Sequence, residues 1–405
     1  MNMNKVRLYY ISFNLYNFST GMVGVFLNLF VLATASLLGV IYFNILFYGS
    51  LEVFYFATVY ALDYLEPKDL YILGAAIRAI TLVLILAAAL FVSNILVFGF
   101  LYGGSIGTYW LGNNILNSDL SKGTDRKDFV LKVSVIGDAV NLIAPTVAGI
   151  MIEYSQFAGP LRFSYDFIAA AIILLVSAYT LAIVKLPKEQ KAIKFRIGDY
   201  PIKYKGYNHF KSYYLFSQLF SIPFTILLPI YVFLLTNSYV VAGVYGSMIL
   251  VIALFSNYLA KIEHKYWGAF IKIGILASIV SSIPLLFPSY FSSLTAIFAF
   301  TIVYTVFSTP FQNQAWSNFL EMIEDSKINR IYFWIDREYY ITAGRALAFL
   351  SLVAVLIYFK SEIIYTIYLI PPLSLYLVTC LKSSEKIAPT RTTSPQLVEN
   401  PIESE

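Results

Sequence analysis

Residues 110–149 read WLGNNILNSDLSKGTDRKDFVLKVSVIGDAVNLIAPTVAG, which predicts two apolar helices joined by a short loop of mixed charge. The second of these helices carries Asp138 and Asn141 inside it. The same design returns at residues 314–350, which read QAWSNFLEMIEDSKINRIYFWIDREYYITAGRALAFL. There too an apolar helix, a charged loop and a helix with an internal polar residue follow one another. The chain is therefore interpreted as two related halves.

A single shift of 204 residues aligns the two stretches. It places Asn114 on Asn318, Leu116 on Leu320, Arg126 on Arg330 and Asn141 on Arg345. Few identities survive the shift, but the order of helix, charged loop and helix is kept. A two-fold repeat of membrane helices is how many secondary transporters are built.

Composition indicates a membrane protein. Of the 405 residues, 59% are hydrophobic and 13% are charged, whereas soluble domains carry about 25% charged residues. The basic residues that give the net charge of +5 lie mostly in predicted loops. There they indicate the membrane topology rather than binding of nucleic acid. Cys380 is the one cysteine, which excludes an internal disulfide. His209 and His264 lie in charged loops, so we expect no His/Cys metal site.

Apolar runs define the predicted transmembrane helices. A hydrocarbon core of about 30 Å needs roughly 20 apolar residues per helix. The sequence predicts twelve such spans, near residues 10–33, 38–61, 70–91, 95–117, 130–152, 163–184, 212–235, 239–260, 267–287, 291–316, 333–357 and 362–381.

The longest interior polar stretch divides the chain into domains. We predict an N-terminal six-helix bundle at 1–184, a cytoplasmic basic linker at 185–211 and a C-terminal six-helix bundle at 212–382. Residues 383–405 are rich in Ser, Thr, Pro and Glu, which predicts a disordered cytoplasmic tail.

The lysines and arginines predict the orientation. Of the 28 basic residues, Arg78 and Arg345 lie inside spans, and only Arg162 and Lys360 lie at the ends opposite the N-terminus. Because positive charge accumulates on the cytoplasmic side, both termini are expected there.

Four local patterns resemble the major facilitator superfamily. Residues 59–68, VYALDYLEPK, keep Asp63 and Lys68 of the family's cytoplasmic loop motif G-x-L-a-D-r-x-G-r-k but lose both glycines. Residues 257–266, NYLAKIEHKY, are similar to the same motif in the second half. Residues 144–149 resemble the family's G-P-x-x-G-G, and 336–347, DREYYITAGRAL, resemble a permease R-E-x-x-x-N-x-G-R pattern.

The resemblance implies an all-α integral membrane protein with 12 transmembrane helices in two pseudo-symmetric six-helix bundles. It also implies that spans one, four, seven and ten line a central cavity. These spans hold polar and helix-bending residues, which in a membrane need neighbours or water, although close helix packing would explain any single one of them. The candidate cavity-lining residues are Asn17, Asn28, Tyr109, Asn113, Asn114, Gln218, Thr225, Tyr304, Gln312 and Asn313.

Ionisable residues inside spans are the strongest candidates for function, because a charge at mid-bilayer costs at least ~2.5 kcal/mol. Glu52, Arg78, Asp138 and Arg345 lie in roughly one layer, about 12–18 Å from the cytoplasmic ends of their spans. One hypothesis is a neutral buried network that only holds helices together. The other is that one pair forms a gate and that Asp138 or Glu52 binds a proton.

Two pairings of Glu52 are predicted as alternatives. In the fold that the chain resembles, spans two and eleven face each other, so Glu52 would meet Arg345 and form a gate between the halves. Pairing of Glu52 with Arg78 would instead form a static clamp within one half. Near the span ends, side chains reach the interface, so no role is assigned to Arg162, Asp166 and Lys272.

An enzyme is not expected. Gly137-Asp138 and Tyr165-Asp166 are similar to the aspartate pairs of intramembrane proteases, but the two aspartates are separated by more than ~10 Å of predicted depth. Carboxylates that share a proton must nearly touch. No Gly-rich phosphate loop supports an ATP-driven pump.

The sequence therefore predicts a secondary active transporter of a small organic solute, coupled to protons, in the cell membrane. The alternative is a membrane scaffold or sensor that kept the fold and lost transport. We expect a monomer whose partners are a small-molecule substrate, protons and the lipid bilayer. No nucleic acid, cofactor or metal is expected.

Overall fold

The computed structural model describes residues 3–88, 95–120, 126–184, 207–261, 264–286, 293–325, 330–358 and 370–383. Thirteen α-helices lie in these ranges. They are α1 Met3–Thr34, α2 Leu37–Ala61, α3 Pro67–Ala88, α4 Ile95–Leu120, α5 Arg126–Asn141, α6 Ala144–Glu153, α7 Ser164–Ala182, α8 Asn208–Thr236, α9 Tyr239–Ser256, α10 His264–Ser282, α11 Ser293–Asp325, α12 Arg330–Tyr358 and α13 Ile370–Ser383.

The predicted spans agree with these helices. Eleven segments of the described chain are long and apolar enough to cross a membrane. A regular helix pairs its interior backbone N–H and C=O groups internally, which a bilayer demands. The twelfth predicted span, 362–381, is described from residue 370 onward as α13. The side on which α1 begins is called the N-terminal side, and the opposite side the far side.

Helix ends differ from the prediction in several places. The helix α11 continues to Asp325 rather than ending near 316, and α12 begins at Arg330 rather than 333. Polar residues continue these helices because the ends lie beyond the apolar layer that defined the spans. Residues 208–211 of the predicted linker belong to α8. Residues 185–206 of that linker and 384–405 of the predicted tail lie outside the described residues.

The fifth span is two helices rather than one. The helix α5 ends at Asn141 and α6 begins at Ala144, with Pro145 in its first turn. Proline has no backbone N–H to continue the helical ladder, and its ring is tolerated in a first turn. The span therefore bends at the position where the G-P-x-x-G-G-like pattern begins.

The helices form two bundles. In the first, α4 packs against α2 and α3, and α7 packs against α1 and α3. In the second, α8 packs against α12 and α13, and α11 packs against α9 and α10. Matching serines begin the second helix of each bundle: the Ser36 hydroxyl accepts the Gly39 N–H and the Ser238 hydroxyl accepts the Val241 N–H, each at 3.3 Å. Such N-caps satisfy a donor that the helix itself leaves free.

The two bundles meet through a few helices. The helix α2 contacts α12, while α5 and α6 contact α9, and α5 also contacts α11. An apolar cluster on the N-terminal side joins Tyr55 and Val59 of α2 to Ile331 and Ile335 of α12. The halves are therefore closed against each other on that side in this conformation.

Candidate functional site

Glu52 and Arg345 form an ion pair across the interface between the halves. The Arg345 Nη1 donates to Glu52 Oε1. The Glu52 side chain is 8% exposed and that of Arg345 15%. One turn away on each helix, the rings of Tyr48 and Phe349 pack at 5.6 Å between centroids. The expected contact between α2 and α12 is thus present.

Arg345 has further partners that hold its guanidinium in place. The same Nη1 lies 3.2 Å from Glu338 Oε1, and Nε donates to Gln218 Oε1 at 3.3 Å. The guanidinium carbon lies 5.1 Å from the centre of the Tyr48 ring. Arg345 therefore joins α2 to both α8 and α12 of the other half. An arginine suits this position because its fork of N–H groups can serve several acceptors at once.

Glu338 extends the ion pair into a chain of alternating charges. Its Oε2 lies 3.9 Å from Nη1 of Arg337, and the Arg337 guanidinium lies 5.0 Å from the ring centres of Tyr214 and Trp316. Two arginines and two glutamates then compensate each other within the buried cluster. A buried charge needs such partners to be tolerated.

The sequence interpretation missed the three charged residues at the start of α12. Asp336, Arg337 and Glu338 lie within the predicted span 333–357, but were read only as part of a motif. The available signal was the spacing of seven residues between Glu338 and Arg345. Two helical turns place both side chains on one face. Asp336 is fully buried, and its Oδ2 lies 3.5 Å from Lys211 Nζ.

Arg78 is held apart from this cluster. Its Nε donates to the Tyr102 hydroxyl at 2.9 Å, and Nη1 donates to the Tyr16 hydroxyl at 2.8 Å and the Thr20 hydroxyl at 3.0 Å. None of the ion pairs among the described residues involves Arg78. The alternative clamp between Glu52 and Arg78 is absent from this conformation, and Arg78 lies among tyrosines inside the first bundle.

Asp138 belongs to a second network across the interface. Its Oδ2 accepts from Asn257 Nδ2 at 2.7 Å. The Asn257 side-chain oxygen accepts from Asn313, whose own oxygen accepts from the Ser134 hydroxyl at 3.0 Å. The network joins α5 to the short 3₁₀ turn after α9 and to α11. Asn257 is fully buried and was not among the predicted site residues.

The two networks occupy related positions in the two halves. The shift that aligns the halves places Ser134 on Glu338 and Glu52 on Ser256, the neighbour of Asn257. One network therefore joins α2 to α12 through charges, and the other joins α9 to α5 mainly through amides. The same two-fold relation thus accompanies a contact between charged groups in one case and a contact mainly between amides in the other.

Replacement of Asn257 by leucine should destabilise the protein, because it strands the Asp138 carboxylate in a half-buried position. Loss of a hydrogen bond to a charged group costs about 1.5–3 kcal/mol. The melting temperature of the purified protein should fall, and Asp138→Leu added to Asn257→Leu should restore part of it. Equal melting temperatures for Asn257→Leu and the parent chain would contradict a role for this bond.

The predicted cavity-lining residues fall into two groups. Those packed away from the interface include Tyr109, which stacks on Tyr16 at 3.5 Å, Asn113, which accepts from Tyr9 at 2.9 Å, and Tyr304, which packs on Phe220 at 5.0 Å. In this conformation these three fill bundle cores rather than an open space, because aromatic rings surround them. Asn114 is likewise buried, and Asn28 accepts from Asn44 at 2.8 Å.

Of the remaining candidates, Gln218 and Asn313 contact residues of the interface between the halves. Gln218 touches Arg345, and Thr225, two turns further along α8, lies on the same face and is exposed. Asn313 bonds to Ser134 of the other half, and Gln312 beside it is exposed. Asn17 lies 3.9 Å from a Cβ built on Gly137 of α5. These residues are the better candidates for contact with a solute.

The loop motif after α2 has a structural contact. Lys68 donates through Nζ to the carbonyl oxygens of Ala182 and Val184 at 2.8 and 2.6 Å. It thereby satisfies carbonyl groups at the end of α7, where a cation is favoured by the helix dipole. Asp63 is exposed.

The far side of the interface is closed by close packing of α6 on α9. A Cβ on Gly149 would lie 2.6 Å from the Tyr239 carbonyl oxygen. A Cβ on Gly243 would overlap the carbonyl oxygen of Pro145. The Thr146 hydroxyl donates to the Ser247 hydroxyl at 2.8 Å. Small residues at such positions let helix backbones approach each other.

A carboxylate adds to this far-side contact. Glu153 Oε2 accepts the backbone N–H of Tyr239 at 2.7 Å, at the first residue of α9. The N-terminus of a helix favours an acidic partner. The end of α6 in one half therefore caps α9 in the other.

Comparisons with known proteins agree with this architecture. A sequence model described as Major Facilitator Superfamily matches residues 9–335. The protein YqgE of Bacillus subtilis (strain 168), itself uncharacterised, is 23% identical over 296 residues, which are 71% of this chain and 67% of that protein.

Three solved structures share the fold. The E. coli fucose:proton symporter FucP has a TM-score of 0.60 at 12% identity, covering 96% of this chain and 99% of that chain. An inward-facing bacterial homologue of the iron transporter ferroportin has a TM-score of 0.60 at 14% identity. The match covers 95% of this chain and 99% of that chain. The nucleoside transporter NupG has a TM-score of 0.61 at 14% identity. The match covers 94% of this chain and 99% of that chain.

Proposed function

Since the chain belongs to the Major Facilitator Superfamily, we propose that it is a proton-coupled transporter that moves a small organic solute across the cytoplasmic membrane. In the proposed cycle, the two bundles rock around a site near the midplane and open to one side at a time. Both termini lie in the cytoplasm in this proposal, so the N-terminal side is the cytoplasmic side.

The ion pair between Glu52 and Arg345 carries this proposal. It is buried and joins the two halves through side chains alone, so that separation of α2 from α12 must break it. Breaking it costs most in dry surroundings and less once water enters. Such a contact can alternate between formed and broken, as a gate requires.

Uncharged polar groups favour an organic solute that forms hydrogen bonds. Gln218 and Asn313 lie at the interface, Thr225 and Gln312 on the same two helices are exposed, and each of the four offers amide or hydroxyl groups. A sugar or an amphipathic metabolite could use these donors and acceptors. FucP and NupG are, by their names, transporters of fucose and nucleosides, which belong to this chemical class.

The rival proposal is a scaffold or sensor without transport. The altered loop motif, in which Lys68 caps α7 and both glycines are absent, favours it. A scaffold would bind no solute between its halves, whereas a transporter must.

Solute binding can be measured first and transport second. L-Fucose, uridine and a panel of sugars are added to purified protein, because a ligand of the folded state raises the melting temperature. Any solute that does so is then loaded with the protein into liposomes, and its accumulation is followed with and without a pH gradient. Binding without movement across the membrane would favour the sensor, and movement without effect of the gradient would indicate a uniporter.

The amide variants Asp138→Asn and Glu52→Gln test proton coupling. Loss of the carboxyl that carries the proton should abolish accumulation driven by the pH gradient, and in Asp138→Asn, which keeps the Glu52–Arg345 pair, exchange of solute across the membrane should stay intact. Glu66→Gln, on an exposed loop, is the matched control. If both variants accumulate solute like the control, the coupling proton binds elsewhere.

A further inference from the structure

The ion pair between the halves lies at the level of the membrane where a carried solute binds. Arg345 is close to the middle of α12 (Arg330–Tyr358), and Glu52 is close to the middle of α2 (Leu37–Ala61). Solute sites of transporters built from two related halves lie near the bilayer midplane, between the halves. The Arg345 side chain is 15% exposed, so its guanidinium is not sealed inside the second bundle.

The charges around Arg345 cancel only while Glu52 is present. Glu52 and Glu338 both pair with the Arg345 guanidinium, and Arg337 lies 3.9 Å from Glu338. Two carboxylates and two guanidinium groups therefore form a neutral group. When α2 separates from α12, Glu52 leaves with the first half. The three charged groups that stay in the second half then carry one net positive charge.

Two further carboxylates on the helices that meet here have partners of their own. Asp336 lies 3.5 Å from Lys211 Nζ, and Asp138 accepts from Asn257 at 2.7 Å. Neither is free to replace Glu52. A guanidinium that has lost one carboxylate in partly dry surroundings is costly without another anion. Opening of the N-terminal side thus creates a place for an anion at Arg345.

The partners of Arg345 define the anion that fits this place. The group that leaves is the Glu52 carboxylate, and the planar fork of an arginine matches a planar carboxylate. Glu338 Oε1 lies 3.2 Å from the same Nη1, so a doubly charged group such as phosphate would be repelled. Gln218 binds Nε at 3.3 Å and has an amide N–H group to offer. The position therefore favours a singly charged carboxylate.

We propose that the solute carries a carboxylate, and that this group replaces Glu52 on Arg345 when the N-terminal side is open. The inference rests on the proposed transport function and names the class of solute, a polar organic acid. Without solute, Glu52 occupies the place of the solute's carboxylate and the side is closed. Glu338 and Gln218 stay with Arg345 in both states, because all three belong to the second half.

Acetate tests the site before the solute is known. Glu52→Ala removes the carboxylate and leaves space for a small anion, so acetate should raise the melting temperature of this purified variant in a saturable way. The parent chain should need at least about tenfold more acetate for an equal rise, because Glu52 already occupies the guanidinium. Acetamide has the same shape without the charge and should have no effect. Glu52→Ala combined with Arg345→Gln corrects for general effects of the salt.

The same displacement can be measured in the parent chain. Tyr64 and Tyr258 are exposed on the two halves, so cysteines there can carry spin labels. Acetate that displaces Glu52 should lengthen the distance between these labels on the N-terminal side, and acetamide at the same concentration should not. Inorganic phosphate should act more weakly than acetate, because Glu338 repels the second charge.

Three results would overturn the proposal. They are a melting temperature of Glu52→Ala that acetate does not change, an equal rise in the double variant, and stronger binding of phosphate than of acetate. If Glu52→Ala does not fold, Glu52→Gln with formate, a smaller carboxylate, takes its place. The titration needs no transport. A chain that binds acetate at Arg345 but moves no solute would be a sensor of organic acids, whereas transport of sugars without any acetate response would reject only the carboxylate site.

Discussion

Arg345→Gln should open the N-terminal side of the protein. The substitution removes the guanidinium that joins Glu52 to Glu338 and Gln218, and leaves two buried carboxylates close to each other. Loss of one partner of a buried pair costs about 3–5 kcal/mol. At 1.4 kcal/mol for each factor of ten, this changes the ratio of closed to open states by two to three orders of magnitude. Water that enters on opening relieves the cost.

Distances between spin labels measure this opening. Tyr64 in the turn after α2 is 91% exposed and Tyr258 after α9 is 59% exposed, so cysteines there can carry labels on the two halves. The buried Cys380 is first replaced by alanine. The distance distribution should move to longer values in Arg345→Gln and Glu52→Gln but not in Glu66→Gln.

Exchange of the two charges gives a sharper result. Glu52→Arg combined with Arg345→Glu rebuilds the pair, so the shorter distance should return in part. Return is incomplete because Glu338 would then face a glutamate at position 345. Addition of Glu338→Gln should restore more of the closed state. If the distance distribution is the same in all of these variants as in the parent chain, the ion pair has no role in gating.

Gly243→Leu should have the opposite effect and open the far side. The Cβ alone would overlap the carbonyl oxygen of Pro145, which is backbone at the bend between α5 and α6 and cannot move freely. Overpacking of a close contact costs about 1–3 kcal/mol or more. The α6–α9 contact, with its Thr146–Ser247 bond, should therefore separate.

Labels at Phe157 and Leu235, which are 45% and 43% exposed on the far side of the two halves, report this separation. A longer far-side distance is expected in Gly243→Leu, together with an unchanged or shorter N-terminal-side distance. Gly268→Leu is the control, because nothing lies within 4 Å of a Cβ there. Widening on both sides at once would indicate a loosened fold rather than a change of state.

Much of the fold was readable from the sequence alone. Apolar runs of about 20 residues predicted the helices, because a bilayer requires each span to satisfy its own backbone. The shift that aligns residues 110–149 with 314–350 predicted two related halves. Resemblance to a known fold placed α2 opposite α12, and the Glu52–Arg345 contact is present in the structure. Its role as a gate stays a prediction.

Other features depend on which way each helix faces. Lipid and protein core are both apolar, so hydropathy along a transmembrane helix carries little information about its rotation. Asp166 was placed near the interface by its position in the span, yet it is enclosed, and Tyr109 and Tyr304 fill bundle cores. Asp138 meets Asn257, which is 119 residues away in the chain. Contacts between distant helices decide these positions, so the Tyr102–Arg78 contact and the amide network required the tertiary structure.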